Sequence, residues 1–376
     1  MQKEVSSGIN KLLAAILIGI MLILMIGIVV NGWQTDSNGE NSGENGKNTT
    51  ENADNLNGDT DENDGTADNF YDNEITLPKI PEYVNYLTGL EIEEGYQNRI
   101  PFVMVCEPNA PSYGISKSEL TIEIPTENGS TRILNYITDI SELGKIGAFS
   151  STRKYITQVT SFFGGLLIAN GNDDIISYSS AFSKIDFNLS KHTDIIYKEN
   201  GKNLYTDGNS IIQIAKDEDI DLISYKKANQ PFDFCNFGEN VFGKTAAFEI
   251  QLPYSASNTT TLIYNNPSQS YTLYKNERNK VDMLNGESVM YKNVFILFAD
   301  VITYETAAGT ESVVKTDTEG SGYYISNGTL TEIRWSTDSS DNLIFKDLNG
   351  NKLIVNRGNS YIGYYKSSDA DAVIFN

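Results

Sequence analysis

Histidine occurs once in this 376-residue chain, cysteine twice, and Lys and Arg number only 28 against 50 Asp and Glu. Each scarcity removes a class of function. One histidine, His192, and two distant cysteines, Cys106 and Cys235, cannot supply a usual zinc site. Ser190 and Asp194 lie beside His192, but triad members are set by geometry and neighbours in sequence rarely point at one another, so His192 reads as a surface-loop residue. The cation deficit gives a net charge of −22, which argues against nucleic acid or anionic lipid as a partner. Gly164-Gly165 and Gly320-Ser321-Gly322 lack the Lys-Ser/Thr or the strand-to-helix setting of a phosphate loop. Asp59, Asp61 and Asp64 imitate calcium-loop spacing, but the required Gly and terminal Glu are misplaced. No cofactor or metal is expected.

What is abundant is apolar in one place and acidic in the next. Leu12 to Val30 is an unbroken apolar run of 19 residues, about 28 Å long as a helix and close to the thickness of a bilayer's hydrocarbon core. Lys3 and Lys11 precede it and no cation follows until Lys47, so the positive-inside rule puts the N-terminus in the cytoplasm and the rest outside. Trp33 stands where an interfacial anchor belongs. From Gln34 to Glu74, twelve acids face the single base Lys47. So polar a segment cannot offset its ordering entropy, which predicts a disordered tether with a reach of roughly 35 Å. The expected organisation is a cytoplasmic stub and membrane helix (1–33), an acidic linker (34–76), an α+β domain (77–240) and a largely antiparallel β-rich domain (241–376).

Short runs with β-branched and aromatic alternation predict strands at Phe102 to Cys106, Leu120 to Ile124, Arg132 to Thr138 and Leu166 to Ala169. Tyr155, Val159, Phe162 and Phe163 recur at helical spacing after Ser150 or Ser151, either of which can cap a helix. A second helix is expected around Ser210 to Asp217. Beyond Asn240 the pattern is nearly all strand, including one long strand from Val294 to Tyr304. Asn327-Gly328 and Asn349-Gly350 tolerate the two positive φ values of a type I′ turn and signal hairpins. In an exported chain two cysteines can pair or stay buried. Buried thiols are favoured here, because Phe102 to Cys106 reads as an interior strand.

The residues best suited to chemistry are Glu123, Glu127, Arg132 and Arg153. They fall at predicted element ends, where clefts form and a guanidinium fork can hold a carboxylate or phosphate. The competing reading is a structural network in which Arg153 pairs with Glu123 or Glu127. Paired carboxylates suit acid or base work, but residue type alone does not make a glycosidase. Of 22 tyrosines, many, Tyr254, Tyr264, Tyr271, Tyr274 and Tyr361 among them, fall in the β-rich part, where strand propensity accounts for most and glycan stacking for some.

Three passages together resemble the YerB-like family, exported lipoproteins with two consecutive domains of unknown function. The first is Arg99-Ile100-Pro101-Phe102-Val103-Met104, then Pro111-Ser112-Tyr113-Gly114-Ile115, then Glu127-Asn128-Gly129-Ser130-Thr131-Arg132. The second is Ile146-Gly147-Ala148-Phe149-Ser150-Ser151-Thr152-Arg153. The third gathers Lys292-Asn293-Val294, Gly320-Ser321-Gly322, Trp335 and Arg357-Gly358-Asn359-Ser360-Tyr361. Ser150 stands where the family has Arg, Ala169-Asn170-Gly171-Asn172-Asp173 where it shows His-Ala-Gly-Gly-Ser, and Tyr361 where it has Trp. No Cys follows the apolar run, which implies anchoring by the helix rather than by lipid. The resemblance implies a fold and a location but no reaction. The expectation is a membrane-anchored extracytoplasmic protein that binds a cell-envelope ligand or protein partner, with an envelope hydrolase or transferase using Glu123 or Glu127 as the alternative.

Overall fold

Alternating apolar residues from Phe102 onward build a β-rich body, seen in a computed structural model that describes residues 80–96, 98–171, 187–220, 222–223, 231–307 and 309–376. The apolar run Leu12 to Val30 and the acidic segment 34–76 lie outside the described residues. Among the described residues, no helix is long and apolar enough to cross a membrane.

The earlier part contributes β1 (Phe102–Cys106), β2 (Leu120–Pro125), β3 (Thr131–Ile137), β4 (Ile146–Phe149), helix α1 (Lys154–Phe163), β5 (Leu166–Ala169), β6 (Asn203–Thr206) and α2 (Gly208–Asp217). The later part contributes β7 (Glu249–Ser255), β8 (Asn258–Asn265), β9 (Ser270–Lys275), β10 (Asn293–Ala299), β11 (Glu319–Ser326), β12 (Thr329–Thr337), β13 (Leu343–Asp347) and β14 (Ser360–Lys366). In the large sheet β12, β11, β10, β14, β2, β3, β1, β4 and β6 lie side by side in that order. Strand β14 runs parallel to both neighbours, with Ser360 opposite Asn293 on one side and Leu120 on the other. Residues on either side of position 240 therefore share one sheet. A smaller sheet places β9, β8 and β7 together, with Ile374–Phe375 added beside β7.

The period-2 alternation of the strands sorts the core. Val103, Val105, Ile122, Ile124, Ile362 and Tyr364 pack on one face of the large sheet with Ile156, Val159, Phe162 and Phe163 of α1. Each fully buried phenylalanine there contributes roughly 2 to 3 kcal/mol. The other face meets the small sheet, where Leu252, Leu262 and Leu273 pack against Val294, Ile296 and Tyr361. Neither expected serine caps α1. The cap residue is Arg153 and makes no side-chain cap bond, while Ser150 Oγ donates to Glu107 at 2.6 Å and Ser151 Oγ accepts from Arg153 at 3.2 Å. In α2, Asp207 accepts from the Ser210 amide at 2.9 Å.

Two further expectations are corrected. The strand predicted from Val294 to Tyr304 breaks at Asp300, a poor strand former, and the chain continues as a separate ribbon of Val301–Thr306 and Gly309–Val314. Asn327 and Gly328 both take positive φ (52° and 73°) and turn β11 into β12, as a type I′ turn requires. At Asn349-Gly350 the expected hairpin forms, with Lys346 antiparallel to Lys352, but not through a type I′ turn: only Gly350 takes positive φ (85°), because the Asp347 carboxylate collects the Asn349 and Asn351 amides at 2.9 Å each. Between β2 and β3, Asn128 and Gly129 are left-handed (φ 58° and 70°), and a side chain at 129 would come within 2.5 Å of Ser255 Cβ.

Candidate functional site

Because Ile122 and Ile124 face α1, Glu123 between them must point at the small sheet. It is fully buried there. Oε1 accepts from Lys275 Nζ at 2.7 Å and Thr131 Oγ1 at 2.6 Å, and Oε2 accepts from Thr260 Oγ1 at 2.7 Å and the Tyr361 hydroxyl at 2.8 Å. Burial pushes this carboxyl up, but the Lys275 ammonium and the hydroxyl donors outweigh it and hold it below the usual carboxylate range. Burial and the Glu123 charge together raise the Tyr361 phenol well above its ordinary value. Gly363 lies opposite Glu123 in β14, and a Cβ there would sit 3.0 Å from Leu252 and 3.1 Å from Tyr361.

The other three expected residues are placed elsewhere. Arg153 forms a two-pronged bond with Glu127, Nε to Oε1 and Nη2 to Oε2, both at 2.9 Å, while Nη1 donates to the Thr152 carbonyl at 2.9 Å. Arg153 is 30 % exposed and Glu127 14 %. Burial raises the Glu127 carboxyl and the Arg153 hydrogen bonds reverse that, leaving it below the ordinary range. Arg132 donates to the carbonyls of Ser151 (3.1 Å) and Thr131 (3.0 Å) and stands 3.5 Å from Glu107. The four residues thus divide into three separate contacts. Arg153 belongs to Glu127 and not to Glu123, whose true partner, Lys275, lies 152 residues away in sequence. The available signal for Lys275 was its place two residues after Leu273 on the inward face of a strand.

Glu119 has no cation partner among the described residues. It accepts from Asn85 Nδ2 (2.9 Å), the Thr138 amide (3.1 Å) and Thr138 Oγ1 (2.6 Å), and burial outweighs these bonds to push its carboxyl up to about 7. His192 Nε2 lies 3.4 Å from Glu218. Both cysteines are free and buried, and burial pushes the Cys106 thiol up to about 12. Among the described residues no three His, Cys, Asp or Glu side chains gather as metal ligands.

Open surface occurs on the outward face of the small sheet. In register, Gln251, Thr261 and Tyr274 form one cross-strand row, with Glu249, Ile263 and Thr272 in the next. Gln251 Nε2 donates to Glu249 Oε1 at 2.6 Å. Residues of both rows floor a trough of about 680 Å³, which ends at Asn276. The same asparagine lines a second cleft of about 610 Å³, between 108–112 and 275–283. Asn276 (φ 48°) and Glu277 (φ 65°) make the tight turn that returns the chain from Lys275 to Arg278. Across the cleft Asn276 Nδ2 donates to Asn109 Oδ1 at 3.2 Å. Lys280 Nζ donates to the carbonyls of Pro108 and Ala110, both at 2.8 Å, and burial lowers its ammonium to about 8. The trough offers a ring face, amides, hydroxyls and carboxylates to a polar chain, and the neighbouring cleft across Asn276 carries cations.

Residues 87–221 match the N-terminal domain and residues 250–362 the C-terminal domain of the protein of unknown function DUF3048. The chain is similar to the crystal structure of YerB protein from Bacillus subtilis, with a TM-score of 0.66 and 19 % identity over 78 % of this chain and 100 % of that one. At that identity the likeness is one of fold. No curated protein matches.

Proposed function

This chain belongs to the YerB-like family, and we propose that it is a membrane-anchored, extracytoplasmic binding protein that holds a cell-envelope glycan in the groove on its smaller sheet. The anchor and topology rest on the apolar run Leu12 to Val30 and the Lys3 and Lys11 asymmetry. The glycan reading rests on the Gln251, Thr261 and Tyr274 row. Sugars present hydroxyls on their edges and C–H groups on their faces, so they suit a surface that sets amide and hydroxyl partners around one aromatic ring. A low-affinity site of this kind needs no catalytic group.

The observations do not favour the alternative hydrolase or transferase. Acid or base work requires a carboxyl within reach of substrate. Glu123 is sealed and saturated by four donors, and both oxygens of Glu127 are taken by Arg153.

The test is binding of fluorescent chitotetraose to intact protoplasts carrying the full chain. Surface binding is expected, weakened about tenfold by Tyr274→Ala, the loss of roughly one ring contact. Binding that appears only after lysis would overturn the topology, and binding indifferent to Tyr274→Ala would remove the groove as the site.

A further inference from the structure

We propose that the Arg278 end of the groove recognises an anionic substituent, a carboxylate or a phosphate ester, on the bound sugar. This inference rests on the glycan reading above and adds the chemical class of the ligand.

Charge distribution carries the argument. The body is acidic, as the whole chain is at −22, but the cleft between 108–112 and 275–283 is lined by Lys275, Arg278 and Lys280 and by no carboxylate. Lys275 is not available, since it is 4 % exposed and bound to Glu123. The remaining two have no described carboxylate within ion-pair distance. Lys280 is fixed by the Pro108 and Ala110 carbonyls, so its charge is held in place by the backbone. Arg278 is exposed and starts the strand after the Asn276 and Glu277 turn, at the mouth of the cleft. A planar guanidinium fork matches two oxygens of a carboxylate or phosphate, while a buried ammonium supplies a point charge behind it. The Asn109 amide lines the same cleft and can donate to a remaining oxygen, while Asn279 Nδ2 donates to Ser288 Oγ at 2.7 Å and has one further hydrogen to offer.

Position fixes the ligand as a sugar derivative rather than a free ion. Asn276 borders both the cationic cleft and the trough that contains Tyr274, so one occupant can reach both. The acidic surroundings add specificity. They repel a polyanion at long range, and only a ligand with its charge confined to one end gains at the cleft without loss along the trough, where Glu249 and Glu277 lie.

The experiment is calorimetric titration of the full-length chain in detergent with inorganic phosphate and with three sugar probes. They are neutral chitotetraose, the disaccharide of N-acetylglucosamine and N-acetylmuramic acid, which carries one carboxylate, and N-acetylglucosamine 6-phosphate. An acidic probe is expected to bind about tenfold more tightly per sugar unit than the neutral one, with the preference lost in Arg278→Gln and only partly kept in Arg278→Lys, which retains the charge without the fork. Whichever acidic probe shows the preference identifies the substituent. Because Arg278 is exposed, its substitution leaves the fold intact, and thermal unfolding of the variant checks this. Equal binding of all three probes, unchanged by Arg278→Gln, overturns the anionic site while the glycan reading stands. If no sugar binds but inorganic phosphate does, in a way that requires Arg278, the glycan reading fails and the anionic site survives.

Discussion

The middle of β2 and its far end treat the same functional group in opposite ways. At Glu123 two sheets close over a carboxylate, and every oxygen lone pair that matters is met by Lys275, Thr131, Thr260 or Tyr361. Four residues later, past the sheet contact, Glu127 meets one arginine at the rim and keeps some contact with water. The chemistry of each pair is an acid and a base at hydrogen-bond distance, so the difference lies in what surrounds them. Removing a charge from water costs several kcal/mol, which only dense hydrogen bonding repays. Glu123 has that density and is a structural centre, whereas Glu127 and Arg153 are a rim clasp whose worth is limited by solvent.

Breaking the sealed pair should show the largest effect. Glu123→Gln leaves Lys275 buried without its counter-charge and is expected to destabilise the body by about 3 to 5 kcal/mol in urea denaturation. Replacing both members, Glu123→Leu with Lys275→Met, should cost less than the sum of the two single substitutions, because no lone charge stays buried, although the Thr131, Thr260 and Tyr361 hydroxyls lose their acceptor. Simple additivity of the two single losses would show that the pair is not coupled and would erase the contrast.

Glu119 sharpens the comparison, as a carboxyl at the start of the same strand with hydrogen bonds but no cation. Its folded pKa of about 7 lies above the ordinary 4.5. Between those values the folded chain holds a proton that the unfolded chain has released, so stability should fall as pH rises from about 4.5 to 7. The expected loss is roughly 1 to 3 kcal/mol, reduced by the residue's partial exposure. Glu119→Gln should flatten that slope in thermal unfolding followed across pH. A slope unchanged by the substitution would assign it to another group.

The rim clasp is expected to give the smallest effect. Arg153→Ala should cost about 1 to 2 kcal/mol, and Arg153→Lys under about 1 kcal/mol, measured by the same denaturation. A loss from Arg153→Ala equal to that from Glu123→Gln would show that the rim is as tightly closed as the seam.

Local signals carried much of the fold. Strands β1 and β2, the body of α1 and the Asn327-Gly328 hairpin were legible, since alternation, helical spacing and a tolerated positive φ act within a few residues. The candidate groove was not. Tyr274 stood among many tyrosines, and its row with Gln251 and Thr261 depends on the register of three strands. The turn at Asn276 and Glu277 uses two left-handed residues without glycine, a conformation no dipeptide signal announces. Glu123, Glu127, Arg132 and Arg153 were visible as charges at element ends, but their partners were fixed by sheet stacking. Lys275 reaches Glu123 across 152 residues, and Glu107 reaches Arg132 from the end of a different strand.

The placement of β14 also governs how the body can be made. The strand that completes the sheet beside β2 begins at Ser360, opposite Leu120, so the middle of the large sheet must wait for a segment far downstream of β2 to be synthesised. Until then β2 and β10 each present an unpaired edge, and pairing them requires closing a loop of more than two hundred residues, the slow kind of folding step. A chain built this way keeps the centre of its sheet open while all the intervening residues are added, and the two halves set only when β14 arrives.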